Sequence, residues 1–247
     1  MLKHKTRIKD CFSKSAKDYD RWADVQYQMV DKIVGGLKRE YKNILDLGSG
    51  TGILTSNIKQ KFPLARIAGL DLAPGMIEFS RAKINQPQVV FLLGDAEEMP
   101  FKNHSFDLVV SSAALQWMDI GRVFIEVERV LCPGGEFYFT TFGPATLQEV
   151  KKAGLSVNPF PDQQEIEGKL NKLFKEVHFI SETVAEHYQD IYALFCHLRK
   201  IGAQNPSEVK TKGLLTRNKI LNIFPPGKEL KITYEIYFVK CKKQYYY

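Results

Sequence analysis

At 247 residues the chain is long enough to bury a sizeable core as one domain, and its 44% hydrophobic and 26% charged residues are the proportions of an ordinary soluble protein. No run reaches the roughly eighteen apolar residues of a membrane span, and the four scattered cysteines, without C-x-x-C spacing, argue against a disulfide framework or zinc site and for a reducing cytoplasm. A net charge of +7, spread along the chain, suits an acidic partner without saying which.

Residues 1–40 read as two helices. Ile8, Cys11, Phe12 and Ser15 fall at i, i+3, i+4, i+7, and Val25, Met29, Ile33 and Leu37 repeat every four. Acidic residues interrupt the basic N-terminus and no apolar run follows, so neither a secretory signal nor a transit peptide is expected. A short strand, Asn43–Leu47, then runs into glycines. Helices are predicted over Thr51–Phe62, Gly75–Asn85 and Ile120–Leu131. Strands are predicted over Arg66–Asp71, Val89–Leu93, Phe106–Ser111 and Glu136–Phe142, the last opened by a turn at Pro133-Gly134-Gly135. Such alternation implies βαβ units and a mainly parallel sheet. Beyond Phe142 the pattern loosens: a short helix within 144–161, a helix over Gln163–Leu173, a strand over Glu176–Glu182, a helix over Asp190–Gly202, polar residues to Gly227, a strand over Ile232–Val239 and a frayed Gln244–Tyr247 tail.

The sharpest chemical signal is LDLGSGTG, Leu45 to Gly52. Glycines let the backbone turn tightly and come close to a ligand, with helix N–H groups aimed at it. The spacing is G-x-G-x-G, with Ile53 where a dinucleotide fingerprint wants its third glycine, and no Gly-Lys-Ser/Thr follows, which excludes a Walker A loop. Asp71 ends the next strand, 19 residues beyond Gly52; it either accepts both ribose hydroxyls or caps the helix from Pro74. Asp95, before Ala96, ends the third strand, where it either accepts from an adenine amino group or caps a loop. With Ser111 onward these motifs share the carboxyl edge of the sheet, where open α/β proteins bind ligands. The segment Ser111–Met118 sets small residues, Gln116 and Trp117 on that edge. Gln116 could orient polar atoms, and Trp117 either belongs to the core or presents its face to a ligand on that edge. His104, His178, His187 and His197 show no ligand spacing, so no metal is expected, and Trp22 and Phe195 read as core.

In order, LDLGSGTG, GLDLAPGMIEFSRAK, GDAEEMPFKNHSFDLVVS and LCPGGEFYFTTF resemble the class I S-adenosylmethionine-dependent methyltransferases over residues 40–142. The resemblance implies a Rossmann-like, seven-stranded, mostly parallel sheet with helices on both faces, ending in an antiparallel hairpin. It implies S-adenosyl-L-methionine as cofactor, held by Asp46, Gly48, Ser49, Gly50, Gly52, Asp71, Leu72, Met76, Asp95, Ala96 and Ser111, with Leu72 and Met76 beside the adenine. FSKSAKDYD from Phe12, ALQW from Ala114, FTTFGPATLQE from Phe139, LRKIGAQN from Leu198, LLTR from Leu214 and ITYE from Ile232 resemble, more narrowly, the malonyl-[acyl-carrier protein] O-methyltransferases of biotin synthesis.

That family implies a cytoplasmic, monomeric enzyme that methylates the free carboxylate of a malonyl thioester, its basic surface meeting an acidic carrier protein. Neither nucleic acid nor membrane is implied. Tyr19, Gln116 and Arg217 are the catalytic candidates, with Arg217 gripping the carboxylate and Tyr19 closing over the methionine end. A helical cap over 1–40 is expected on a methyltransferase domain over 41–247. Within the latter, 41–142 would bind cofactor, 143–230 would form substrate and lid elements, and 231–240 the last strand, all in one domain. Alternatives are a methyltransferase for another small molecule, such as a quinone precursor, or a non-catalytic cofactor-binding regulatory module; a nicotinamide dehydrogenase is weakened by Ile53.

Overall fold

Leu45 and Leu47 point to one face of the first strand and Ile44 to the other, so β1 (Asn43–Leu47) is buried on both sides and must lie inside a sheet covered on two faces. The computed structural model describes residues 2–203, 223–225 and 227–244, and there β1 is flanked by β2 (Arg66–Asp71) and β4 (Phe106–Ser112), both parallel to it. β3 (Val89–Leu93) borders β2, and β5 (Leu131–Phe142) borders β4. β7 (Leu230–Lys242) lies antiparallel between β5 and β6 (Glu176–Tyr188), completing the seven-stranded order β3-β2-β1-β4-β5-β7-β6. The chain moves outward from β1 to β3 and then crosses back to β4. Its direction of winding therefore reverses between β1 and β4, where a crevice opens at the strands' carboxyl ends.

α2 (Asp24–Gly36), α3 (Ile53–Lys61) and α4 (Pro74–Lys83) bury apolar residues on one face of the sheet, against Ile44, Ile67, Leu108 and Val110. α5 (Ile120–Val130) and α7 (Gln163–Leu170) cover the other, where Phe124, Phe137 and Phe139 form a ring cluster with the Phe137–Phe139 pair stacked at 4.7 Å. A third apolar cluster joins Val25 and Met29 of α2 to α6 (Gln148–Lys152), α8 (Ile191–Lys200) and β7. α1 (Leu2–Tyr19) packs Ala16 and Phe12 against Ala73 and Met76 at the start of α4.

Three expectations need correction. Pro133-Gly134-Gly135 is not a turn before β5 but an irregularity within it: Gly134 takes φ +72° and the register with β4 shifts between Phe106 and Leu108. β6 runs to Tyr188 rather than Glu182, because β7 is long enough to pair with all thirteen of its residues. Trp22 (39% exposed) and Phe195 (38% exposed) are not core: Trp22 meets His197 edge-on, and Phe195 faces a cavity beside α8. The remaining strands and helices fall within a few residues of expectation, and the 204–222 stretch and Tyr245–Tyr247 of the tail lie outside the described residues.

Removing the Phe137 ring should cost about 3–5 kcal/mol of stability. Phe137→Ala is expected to lower the urea midpoint accordingly without changing the slope of the transition.

Candidate functional site

The chain leaves β1 through three residues in the left-handed region, Gly48 (φ +65°), Gly50 (φ +54°) and Gly52 (φ +83°). That conformation is strained for side-chain-bearing residues. The amides of Gly48 and Ser49 both donate to the carbonyl of Leu70 (2.8 and 3.2 Å), which ties the loop to the end of β2. On its far side the loop meets the segment leaving β4: a Cβ at Gly48 would stand 2.3 Å from the Cβ of Ala114. This contact leaves no room for a side chain larger than that of Ala114. Ala113 itself takes φ +52°, and its carbonyl accepts from Gln116 Nε2 at 2.6 Å. Gln116 Oε1 in turn accepts from Thr141 Oγ1 (3.2 Å). Gln116 therefore spends its amide on the turn that brings Trp117 into place.

Two adjoining spaces open here. The cleft over the ends of β1–β4 is lined by Gly48, Gly50, Asp71, Leu72, Met76, Asp95 and Ala96, with Ser112–Ala114 and Trp117 on the β4 side. A shallower extension beneath it is lined by Asp46, Ser49, Thr51, Gln26 and Ser112. Beyond Trp117 lies a cavity of about 500 Å³ between α1, α6, α8 and β7, walled mainly by apolar and aromatic side chains. Phe12, Tyr19, Ala113 and Trp117 belong to both the cleft and this cavity. Phe12 and Trp117 meet edge-on at 5.4 Å to form the partition.

Asp46 is 1% exposed and accepts from Thr55 Oγ1 at 2.6 Å; burial, partly offset by that bond, pushes its carboxyl up to about 7. Asp71 accepts from the amides of Gly50 (2.9 Å) and Ala73 (2.8 Å), bracing together the glycine loop and the turn that leads into α4; burial raises its pKa against those bonds. Asp95 accepts from the Glu97 amide, and Lys5 of α1 reaches across the cleft to both Asp95 and Glu97 at 2.7 Å. Despite the cost of desolvation, the Lys5 ammonium holds the Asp95 carboxyl below its ordinary value. Tyr19, at the other end of α1, keeps its phenol protonated well above the usual range through burial and the charges of Asp71 and Asp20.

Of the residues expected from sequence, Asp46, Gly48, Ser49, Gly50, Asp71, Leu72, Met76, Asp95, Ala96, Tyr19 and Gln116 line these spaces, Gln116 in the larger cavity. Gly52 stands behind them as the N-cap of α3, where a Cβ would press on Ile84 and Phe91. Ser111 does not reach the cleft: it is fully buried, its hydroxyl donating to the Leu47 carbonyl (2.8 Å), and Ser112 takes the lining position. Arg217 lies outside the described residues. The sequence reading missed Gln26, Lys5 and Arg199. Gln26 is a polar residue on the buried stripe of α2, four before Val30, and that mismatch was its signal. Arg199, on the last turn of α8, lines the larger cavity.

The glycine loop and three strand-end acids on one edge of this sheet define a methyltransferase: a family profile described as a methyltransferase domain matches residues 45–139. The fold agrees, with a TM-score of 0.60 to phosphoethanolamine N-methyltransferase 2 of Haemonchus contortus in complex with S-adenosyl-L-methionine, at 17% identity over 94% of this chain and 57% of that one. The malonyl-[acyl-carrier protein] O-methyltransferase of Geobacter sulfurreducens is 33% identical over 85% of this chain and 86% of its own length. The biotin biosynthesis bifunctional protein BioHC of Teredinibacter turnerae is 32% identical over 98% of this chain, which spans about half (48%) of that longer protein. The chain belongs to the malonyl-[acyl-carrier protein] O-methyltransferase family.

The residues fit the cofactor of this class. Two buried side-chain atoms on the cleft floor, Ser49 Oγ and Gln26 Oε1, have no hydrogen-bond partner among the described residues, as expected of groups that await a polar ligand. A Cβ at Gly50 would meet nothing closer than 3.9 Å, so backbone faces open space there.

Gly48→Ala and Gly50→Ala are each expected to weaken S-adenosylhomocysteine binding at least tenfold by calorimetry. Gly48→Ala should also unfold more easily, because its Cβ collides with Ala114. For Asp46, a native pKa near 7 lies above the unfolded value of about 4, so the folded state holds the extra proton. Stability without cofactor should therefore fall as pH rises from about 4 to 7 and level off above. Urea titrations across this range should show that slope, and Asp46→Asn should flatten it.

Proposed function

We propose that the protein methylates the free carboxylate of malonyl-[acyl-carrier protein], using S-adenosyl-L-methionine, to begin pimeloyl synthesis for biotin. The observation that carries this reading is the shared wall: the cleft over the ends of β1–β4 and the apolar cavity meet across Phe12, Tyr19, Ala113 and Trp117. A donor and an acceptor held on either side of it are brought together out of water. When bound, S-adenosyl-L-methionine supplies a sulfonium methyl open to in-line attack.

Asp46, Ser49 and Gln26 would hold its methionine end, Asp71 its ribose, and Leu72, Met76, Asp95 and Ala96 its adenine. An acceptor carboxylate is ionised at neutral pH, with an unperturbed pKa of roughly 4. No general base is needed, and the work of the chain is alignment and exclusion of water. Tyr19 reaches cleft and cavity as a neutral phenol, a hydrogen-bond donor rather than a base. Gln116 lines the cavity at this wall, its amide held by Ala113 and Thr141, and remains a candidate for positioning the acceptor.

Arg217, assigned from the sequence, is the proposed clamp for the carboxylate, since a guanidinium can hold it in bidentate fashion. The basic surface would receive the acidic carrier protein, in the cytoplasm and with a monomeric enzyme. The described residues contain no helix long and apolar enough to cross a membrane. Residues 1–40 act in this reading as a cap on one domain over 41–247, its parts being 41–142 for cofactor, 143–230 for acceptor and lid, and 231–240 for the last strand.

Purified protein, methyl-labelled cofactor and malonyl-carrier should yield a labelled methyl ester; label that never enters the carrier sinks the assignment. Arg217→Ala should lose at least thirtyfold in kcat/KM, as removal of one partner of a buried charge pair does, while S-adenosylhomocysteine affinity stays within twofold.

A further inference from the structure

The 500 Å³ cavity is mostly apolar, but one wall carries a buried pair of phenols. Tyr234, in β7, is 5% exposed and lines the cavity beside Phe142. Its hydroxyl lies 2.9 Å from that of Tyr188, at the end of β6. The strand register places both side chains on one face of the sheet, with Val184 opposite Tyr234 and Tyr188 opposite Leu230. Tyr188 is held from behind by the His197 ring of α8, 5.3 Å away, which is itself edge-on to Trp22.

The protons can be counted. Two phenols carry two O–H donors, and their mutual hydrogen bond consumes one. The other has no acceptor among the described residues. Tyr188 does not line the cavity and Tyr234 does. Either hydroxyl can donate in this pair; when Tyr188 donates to Tyr234, the Tyr234 proton is left at the cavity wall, in an apolar setting where an unused donor is costly. Burial also keeps this phenol neutral. A neutral donor suits a neutral acceptor atom.

The backbone around Tyr234 is held rigidly. Thr233 donates from its amide to Glu149 Oε2 (3.1 Å) and from its hydroxyl to Glu149 Oε1 (2.6 Å). Glu235 accepts from the Ala145 amide (2.8 Å), and its own amide donates to Thr146 Oγ1 (3.1 Å). Both neighbours of Tyr234 are thus fastened to the loop 143–149, which supplies Thr146 and Leu147 to the same wall.

The geometry points to Tyr234 as a substrate-binding residue, whose hydroxyl, oriented by Tyr188, donates to the thioester carbonyl oxygen of the acceptor. This rests on the reading of the cavity as the acceptor site. It adds a second polar contact, separate from the one on the carboxylate, that selects an acid bearing a carbonyl beyond its reacting end.

The test compares two acceptors: malonyl-pantetheine and the same acid with a methylene in place of the thioester carbonyl. Wild-type protein should favour the thioester by about tenfold in kcat/KM, the typical effect of one such hydrogen bond, mainly through KM. Tyr234→Phe should reduce that preference to within twofold, with unchanged S-adenosylhomocysteine affinity. Tyr188→Phe, which keeps the Tyr234 proton, should retain at least half the preference. Equal loss on both acceptors in Tyr234→Phe, or a preference that survives in it, overturns the assignment. Wild-type protein that methylates neither acid, even with each mounted on the carrier protein, fails the proposed function itself, whereas methylation of both without preference fails only this inference.

Discussion

The fold turns on the close approach of two backbones where the sheet reverses direction. Gly48, leaving β1, and Ala114, leaving β4, leave no room between them for a side chain on the glycine. The Leu70 carbonyl and Asp71 carboxylate fix the loop from the β2 side, and Gln116 fixes the β4 segment from the other. Each of these bonds is individually worth about 1 kcal/mol. Together they hold a floor of unpaired polar atoms open to a ligand rather than letting it collapse. The partition of Phe12 and Trp117 stands on that floor.

Above it, α1 is held by charges and not only by packing. Lys5 bridges Asp95 and Glu97 at one end, and near the other Asp20 pairs with Lys83, and Asp18 with Lys200. Glu97 is nearly buried and also receives the Asp119 amide and Arg122. The helix is therefore fastened to Asp95, the acid proposed for the adenine, and to Glu97 beside it. Ion pairs of this kind are sensitive to salt where exposed, whereas the Phe12, Ala16 and Met76 contacts are not.

How much of this was readable from sequence depended on whether a constraint was local. Glycine spacing is local: three left-handed positions leave a mark at residues 48, 50 and 52, and the alternation of strands and helices follows from burial on two faces. The parallel half of the sheet could be read from such marks. Ser111 could not, because which of two adjacent serines faces the cleft depends on the strand's pleat and a bond to Leu47. Gln26 was hidden for a similar reason: a single polar residue on an apolar helix face does not say what it points at. The extension of β6 came from pairing with a strand some fifty residues later, which no local pattern encodes. Trp22 and Phe195 were misjudged because aromatic composition suggests burial, while their positions depend on the cavity beside α8.

The place of β7 has a consequence for the order in which the protein is made. Strands β1–β5 are joined by neighbours already synthesised, so the cofactor half can assemble while the ribosome is still working. β6 has no such neighbour: among the described residues its only partner is β7, which follows it in the chain. Until residue 242 has emerged, thirteen residues of β6 wait unpaired, and the loop 143–149 waits for Thr233 and Glu235. The nascent chain thus completes the cleft over β1–β4 before the neighbouring cavity has the wall that carries Tyr234.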